Sequence, residues 1–220
     1  MKMLMFSTIL KPSPESHKGR FNPKTLTRRF RDDEKGIAAI EFAIIAPIMI
    51  AMYFGLAEIA SAIGVDRRVS HAANVAGDLA TQQPEIRDAE IEEVVAAALR
   101  VLNVKNIGKV SMDIESFILP AAGEDPESRG RIRVNSSSGD FEPFVAKGLD
   151  TKLLNENSGV VVTRLSYKYT PVEARLLDTE ITLDETFLLK PRRSEALQIQ
   201  DGKDSVINCT ATSYSNVSCS

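Results

Sequence analysis

The chain has 220 residues, 43% of them hydrophobic, which is enough for one membrane helix and one modest domain. Its formal net charge of −3 combines two unequal parts, because residues 1–35 hold nine Lys or Arg against four Asp or Glu and the remainder is acidic. The basic segment adjoins an apolar run, as cytoplasmic segments next to membrane spans do. Nucleic acid is therefore not the expected partner.

The apolar run extends from Ile37 to Ala57, and Glu41 is the only charge within it. About 20 apolar residues are needed for a helix to cross roughly 30 Å of hydrocarbon. We therefore predict a transmembrane helix over residues 37–58, preceded by a basic cytoplasmic leader or tail over residues 1–36. The excess of Lys and Arg before the run predicts a cytoplasmic N-terminus and a larger C-terminal part in the periplasm.

The start of the run carries a recognisable motif. Lys35, Gly36 and Ile37 are followed by Glu41, and this arrangement resembles the class III signal of type IV prepilins. The longer pattern Gly-x-Ala-x-x-Glu-Phe-Ala-x-x-x-Pro resembles the TadE/TadG family, the pseudopilin-like proteins of tight-adherence (Flp) pilus systems. In this chain the pattern is formed by Gly36, Ala38, Glu41, Phe42, Ala43 and Pro47.

Further points of resemblance are Gly55 and Glu58 near the outer end of the run. A fainter similarity to the same family lies in the segments 165–171 and 190–193, which read Leu-Ser-Tyr-Lys-Tyr-Thr-Pro and Lys-Pro-Arg-Arg. The specific match covers residues 35–58 only. Glu58 is also well explained as a residue at the membrane interface, where a carboxylate costs little.

The resemblance implies a processing site and an assembly helix. A prepilin peptidase would cut after Gly36 and leave Ile37 as the first residue of the mature chain. Glu41 would then pair with the new α-amino group of a neighbouring subunit, since opposite charges offset each other's desolvation in lipid. Phe42 belongs to the same assembly motif, and Pro47 removes one backbone hydrogen bond and is expected to bend the helix.

The function implied is assembly of a Flp-type (type IVb) pilus or a related type II secretion-like machine, in the bacterial inner membrane. The expected partners are the prepilin peptidase, other pilins or pseudopilins, the assembly machinery and the membrane. The alternative is an unprocessed single-pass adaptor whose outer domain mediates envelope or surface attachment. A secretory signal peptide within residues 1–35 is disfavoured, because its apolar run over residues 3–10 is short and no small-x-small cleavage site follows.

Helical periodicity continues beyond Glu58, so we predict one helix from about Ile37 to Gln82. Its outer half has an alanine-rich seam that packs either on its own domain or on another subunit. Pro84 is expected to end this helix and to lie in the first turn of a second helix, within an extramembrane helical region over residues 59–105. The second helix has one apolar face, formed by Ile91, Val94, Val95, Ala98, Leu99 and Leu102.

After Gly108 the apolar period changes to two, which predicts strands. The alternating residues are Val110, Met112 and Ile114; Ile132 and Val134; and Val161, Thr163, Leu165, Tyr167 and Tyr169, with Phe187–Leu189 as a further strand. Helices followed by strands predict an α+β fold with a small antiparallel sheet. Residues 106–220 are thus expected to form a β-rich periplasmic domain.

Cys209 and Cys219 are expected to form a disulfide that closes the C-terminus, because disulfides persist in the periplasm. The alternative is two free thiols near a floppy terminus. The two histidines, His17 and His71, fall on opposite sides of the predicted membrane, so no metal site is expected. No catalytic or phosphate-binding motif is present, and we expect no cofactor and no enzymatic activity.

Overall fold

The computed structural model describes residues 36–119, 126–136, 141, 144, 158–171, 180–200 and 205–220. The predicted basic tail and the alternative signal peptide lie outside these residues. The chain divides into two compact units, Met1–Met52 and Tyr53–Ser220. The described elements are, in chain order, α1 (Ile37–Ala80), β1 (Glu85–Ile86), α2 (Asp88–Leu102), a 3₁₀ turn (Ile107–Lys109), β2 (Val110–Leu119), β3 (Glu127–Val134), β4 (Ser158–Tyr169), β5 (Ile181–Leu189), β6 (Gln198–Ile199), β7 (Val206–Ser213) and β8 (Asn216–Cys219).

Helix α1 is continuous and ends close to the predicted position. From Val65 onward its buried residues recur at intervals of three and four, the period of one helix face. These residues are Val65, Val69, Ala72, Ala73, Ala76, Gly77 and Ala80. The alanine-rich seam of this part, residues 65–80, therefore packs on the protein's own domain, which answers the question that the sequence left open. We refer to residues 65–80 as the docked half of α1.

Helix α2 buries the whole predicted apolar face. At its start the Glu90 carboxylate accepts a hydrogen bond of 2.9 Å from the backbone N–H of Arg87, which satisfies one of the free donors of the first turn. At its end Asn103 adopts a left-handed conformation with φ of 48°, and its N–H donates to the Leu99 carbonyl.

The expectation that Pro84 lies in the first turn of α2 is wrong. The two residues after Pro84 form β1, which pairs in parallel with β6, and α2 begins only at Asp88. The backbone N–H of Gln198 donates to the Pro84 carbonyl at 3.0 Å. Pairing with a distant segment thus overrides the local preference of proline for a helix start.

The main sheet has six described strands in the order β5-β4-β2-β3-β7-β8. The α+β class is confirmed. Among the described strands of this sheet, the neighbouring pairs are antiparallel except for β3 and β7, so the sheet is mixed where a purely antiparallel one was expected. Strands that pair in parallel need a long connection between them. Here the chain forms β4, β5 and β6 after β3, and β6 pairs with β1 before β7 adds to the edge of β3.

The main core lies between one face of this sheet and the two helices. Helix α1 comes close to the sheet at Gly77, where an added Cβ would clash with Leu189 Cδ1 and would lie 2.7 Å from Thr163 Oγ1. A larger side chain at this position would push α1 away from β4 and β5. The opposite face of the sheet carries a smaller apolar cluster formed by Phe117, Leu119, Val160 and Val162, with Phe144 against it.

Strands β7 and β8 make the C-terminus part of the sheet. Ile207, Cys209 and Ala211 alternate as buried residues along β7. Cys209 lies directly opposite Cys219 of β8, and a disulfide joins the two residues, as expected.

Candidate functional site

The predicted cleavage junction lies at the start of α1. Gly36 is exposed, and a Cβ built on it would have no other heavy atom within 4 Å. Ile37, the first residue of the helix, has 53% of its surface exposed. The described residues therefore place no obstruction around this peptide bond.

The three predicted assembly residues are all exposed on α1. Glu41 lies one helical turn after Ile37, on the same side of the helix. Phe42, which is 70% exposed, and Pro47 point to other sides, as the period of 3.6 residues requires. The structure thus brings Glu41 next to the residue that would become the new N-terminus, and it leaves Phe42 and Pro47 on separate faces.

The first half of α1 is apolar on every side. Its exposed large apolar side chains are Ile37, Ile40, Phe42, Ile44, Ile45, Ile48, Met49, Ile50, Met52, Tyr53, Phe54 and Leu56, and Ile59 and Ile63 follow just beyond it. A helix that is apolar all round needs a protein core, lipid or partner helices around it. Among the described residues α1 is the one helix long and apolar enough to cross a membrane, and this indicates a single-pass membrane protein.

At the outer end of the apolar run, Glu58 is bound by the domain. The hydroxyl of Tyr169, near the end of β4, donates a hydrogen bond of 2.6 Å to Glu58 Oε1. Burial raises the pKa of the Tyr169 hydroxyl, and so do the hydrogen bond to Glu58 and the negative charge of that carboxylate. Together they bring the pKa of Tyr169 to about 12. The carboxylate predicted to lie at the interface therefore has a specific protein partner.

The second segment of the fainter resemblance, residues 190–193, also contacts α1. The guanidinium of Arg192 forms an ion pair with Asp78, and the backbone N–H of Arg192 donates to the Thr81 carbonyl at 3.1 Å. Tyr169 belongs to the first of these segments. Both segments lie far from α1 in the sequence and contact it at Glu58, Asp78 and Thr81, which is a role that the sequence did not reveal.

A buried group of charges on the opposite face of the sheet was also missed. Asp113 is fully buried and accepts hydrogen bonds from Arg131 Nε at 2.6 Å and Arg164 Nε at 3.1 Å. Glu115 lies within 4.0 Å of both guanidinium groups, and burial raises the pKa of its carboxyl. The backbone N–H of Phe144 donates to Glu115 at 3.3 Å.

These four side chains come from three neighbouring strands, β2, β3 and β4. Because two arginines face two carboxylates, their charges are matched, and a register shift of one residue would bury unpaired charges. The arrangement therefore fixes strand register. The signal in the sequence was the acidic pair Asp113 and Glu115 on a strand whose alternate positions are apolar. Within the described part of the chain, no group of three or more His, Cys, Asp or Glu residues is arranged to hold a metal ion.

Comparison with known proteins identifies the first helix. Residues 36–78 match the family model described as TadE-like protein. No curated protein and no solved structure matches the chain significantly. The match begins at Gly36 and ends at Asp78, so it covers the predicted junction, the apolar half of α1 and most of the docked half. The resemblance seen in the sequence is thus confirmed over this segment, where residues 36–78 are similar to the TadE-like family.

Proposed function

We propose that this protein is a pseudopilin-like component of the bacterial inner membrane that acts in assembly of a Flp-type (type IVb) pilus or a related type II secretion-like machine. The observation that carries the proposal is the TadE-like match, which starts at Gly36 on the apolar helix. In this proposal residues 1–36 lie in the cytoplasm, α1 crosses the membrane, and the sheet lies in the periplasm. The protein acts by contacts with other subunits and catalyses no reaction.

Processing is the first step of the proposed role. The prepilin peptidase cuts after Gly36, and the α-amino group of Ile37 becomes positively charged, with an ordinary pKa near 8. Glu41, exposed one turn further along the helix, then pairs with such an amine on a neighbouring subunit. The exposed apolar side chains of the first half of α1 supply the surface on which the helices of other pilins pack.

A second function, an unprocessed adaptor in the membrane, is favoured by the packing of α1. Its residues from Val65 to Ala80 bury one face on the protein's own domain, so this face is not free to join a bundle of pilin helices. In that case the outer domain binds envelope or surface components, and residues 1–36 remain attached.

N-terminal sequencing of the membrane-bound protein separates the two functions. The proposal expects a mature chain that begins at Ile37 and a Gly36→Leu variant that keeps residues 1–36, because the larger side chain obstructs the peptidase. Gly55→Leu, at a glycine with equally open surroundings in the same helix, is the matched control and should be processed normally. Wild-type protein that keeps residues 1–36, in cells whose peptidase cuts its other substrates, would favour the adaptor.

The role of Glu41 is tested by Glu41→Ala. This variant should insert in the membrane at least as well as the wild type, since a charge is costly in the apolar span. It should reduce pilus formation or surface attachment. Unchanged pilus assembly by this variant would remove the proposed pairing.

The orientation is tested with reporter proteins fused after Ser220. A periplasmic phosphatase at this position should be active, and a reporter that functions only in the cytoplasm should be silent. The opposite pattern would place the sheet in the cytoplasm.

A further inference from the structure

A cavity of about 580 Å³ lies beside α1, immediately past the apolar run. Its lining starts at Ser61, within one helical turn of Glu58, and it is bounded by the ends of α2 and β4. Its described lining residues include the cationic side chains of Arg68, Lys105 and Lys109. We refer to this cavity as the basic groove.

Two tyrosines, Tyr167 and Tyr169, also line the basic groove, and we refer to them as the tyrosine floor. Tyr167 and Tyr169 are both more than nine-tenths buried and line the groove. Burial raises the pKa of Tyr167, and the positive charges of Lys109 and Arg68 act against this rise, which places both cations close to its phenol.

Among the described residues, two of the cations have no acidic partner within ion-pair distance. Arg68 donates one hydrogen bond of 3.2 Å to the Asn103 carbonyl at the end of α2, and neither Arg68 nor Lys105 forms an ion pair within the described part of the chain. Lys109 differs, because its ammonium pairs with Glu180 and donates to Thr170. The lining residues that the structure describes therefore carry an excess of positive charge, on Arg68 and Lys105.

The position of this charge along α1 determines which anion would meet it. Residues 61–68 follow the apolar run within about 15 Å of helix length, at a rise of 1.5 Å per residue. When the run crosses a bilayer, this stretch lies at the level of the headgroups, where tyrosines are enriched and cations meet lipid phosphates.

We propose that the basic groove binds the phosphodiester headgroup of an anionic phospholipid. The guanidinium of Arg68 and the ammonium of Lys105 contact the phosphate oxygens, and the tyrosine floor packs against the glycerol. The site would fix the depth and rotation of the domain at the membrane surface. It goes beyond the proposed function and depends only on α1 spanning a membrane.

The test uses the purified full-length protein in a zwitterionic detergent, with dioleoylphosphatidylglycerol or dioleoylphosphatidylcholine added and bound lipid counted by native mass spectrometry. The wild type should retain phosphatidylglycerol in preference to phosphatidylcholine. Arg68→Gln with Lys105→Gln should weaken phosphatidylglycerol binding on the order of tenfold or more, since each cation near a lipid surface contributes measurably. Equal retention of the two lipids by the wild type would overturn the proposal.

The matched control is Arg67→Gln with Arg100→Gln. Arg67 and Arg100 are exposed and do not line the groove. Their substitution removes the same amount of positive charge as the substitution of Arg68 and Lys105. This control should bind phosphatidylglycerol like the wild type, and an equal loss would show attraction by net charge alone and overturn the site. Far-ultraviolet circular dichroism and thermal unfolding should show both double variants folded, as expected for changes to side chains on the surface.

Two further results would contradict a lipid site. Displacement of the lipid by millimolar inorganic phosphate or sn-glycerol 3-phosphate would mean that the groove takes soluble anions. Normal lipid binding by the Arg68 and Lys105 variant, combined with lost pilus formation, would mean that the groove serves an acidic protein partner. Because Gly36 processing is measured separately, either result leaves the proposed function standing.

Discussion

The hydroxyl of Tyr169 donates a hydrogen bond of 2.6 Å to the carboxylate of Glu58, and so joins the end of β4 to the end of the apolar run in α1. A carboxylate beside an apolar helix segment loses hydration, and a donor from the domain replaces part of it. The contact thus explains how an acidic residue is accommodated at this position. It also makes Tyr169 a sensitive probe of whether the docked half of α1 is in place.

Tyr169→Phe should lower the free energy of unfolding of the domain by about 1–2 kcal/mol, because a hydrogen bond to a charged group is lost while the ring remains buried. Glu58→Gln keeps an acceptor oxygen for the same hydroxyl and should cost less than Glu58→Ala. Denaturant unfolding in detergent, followed by circular dichroism, measures the three variants. Equal stability of all three with the wild type would show that the contact contributes nothing.

The same contact predicts a loss of stability at alkaline pH. The pKa of Tyr169 is about 12 in the folded protein and about 10 in an unfolded chain. Between these values the unfolded chain has released the proton and the folded chain has not, so rising pH favours unfolding. The contribution is fully present below about pH 10, is lost progressively above it, and should be smaller in Tyr169→Phe. Tyrosine ionisation followed by ultraviolet absorbance should show a group near pH 12 that is absent from this variant.

Gly77→Ala should destabilise the domain by about 1–3 kcal/mol, because the added methyl group has no space between α1 and Leu189. Gly64→Ala is the matched control in the same helix. Gly64 has open surroundings, so alanine should stabilise the helix by up to about 1 kcal/mol. Thermal unfolding of the two variants should therefore shift in opposite directions, and a loss of stability in both would contradict the packing described at Gly77.

Thr163→Val should leave the stability unchanged or increase it by about 1 kcal/mol. The Thr163 hydroxyl is buried and has no hydrogen-bond partner among the described residues, and valine has the same shape without the polar atom. Ser116→Ala is the comparison, since the buried Ser116 hydroxyl donates to the Leu197 carbonyl at 2.7 Å and its removal should cost about 1 kcal/mol. A clear loss in Thr163→Val would reveal a partner for this hydroxyl.

Protein isolated from cells without added oxidant should contain Cys209 and Cys219 linked within one chain. Mass spectrometry without reduction should find the linked peptide, and alkylation should label neither cysteine until a reductant is added. Replacing both by serine should lower stability by about 2–3 kcal/mol, as expected for a short closed loop. Two cysteines open to alkylation before reduction would argue against the disulfide and against an oxidising compartment.

The sequence predicted best the elements with a strong period. Two elements were correctly placed: the apolar face of α2 from Ile91 to Leu102 and the long strand that ends at Tyr169. In both, the spacing of the apolar residues indicates which side chains are buried. The C-terminal hairpin was not predicted as strands, since β7 has only two large aliphatic residues and also carries Asn208 and Ala211, which are poor strand formers. Its position depends on the parallel pairing with β3, which no local pattern encodes.

Contacts between distant residues were the part that the sequence could not supply. Nothing in the local sequence indicates that Gly77 must be a glycine, because the restriction comes from Thr163 and Leu189, which pack against it. In the same way, Arg192 gained a role only when Asp78 and Thr81 were found beside it. At the candidate site, the motif from Gly36 to Pro47 could be recognised in the sequence alone, because its residues are close together in the chain and need no contact with distant residues.

The packing of α1 on β4 and β5 has a consequence for biosynthesis. Gly77 leaves the ribosome early, whereas Thr163 and Leu189 follow only after α2, β2 and β3 have been made. Until then Val69, Ala76 and their neighbours form an uncovered apolar strip on a helix that is already complete. Non-local contacts of this kind slow folding and leave nascent chains prone to aggregation. A chaperone that holds this strip during synthesis would therefore raise the yield of folded protein.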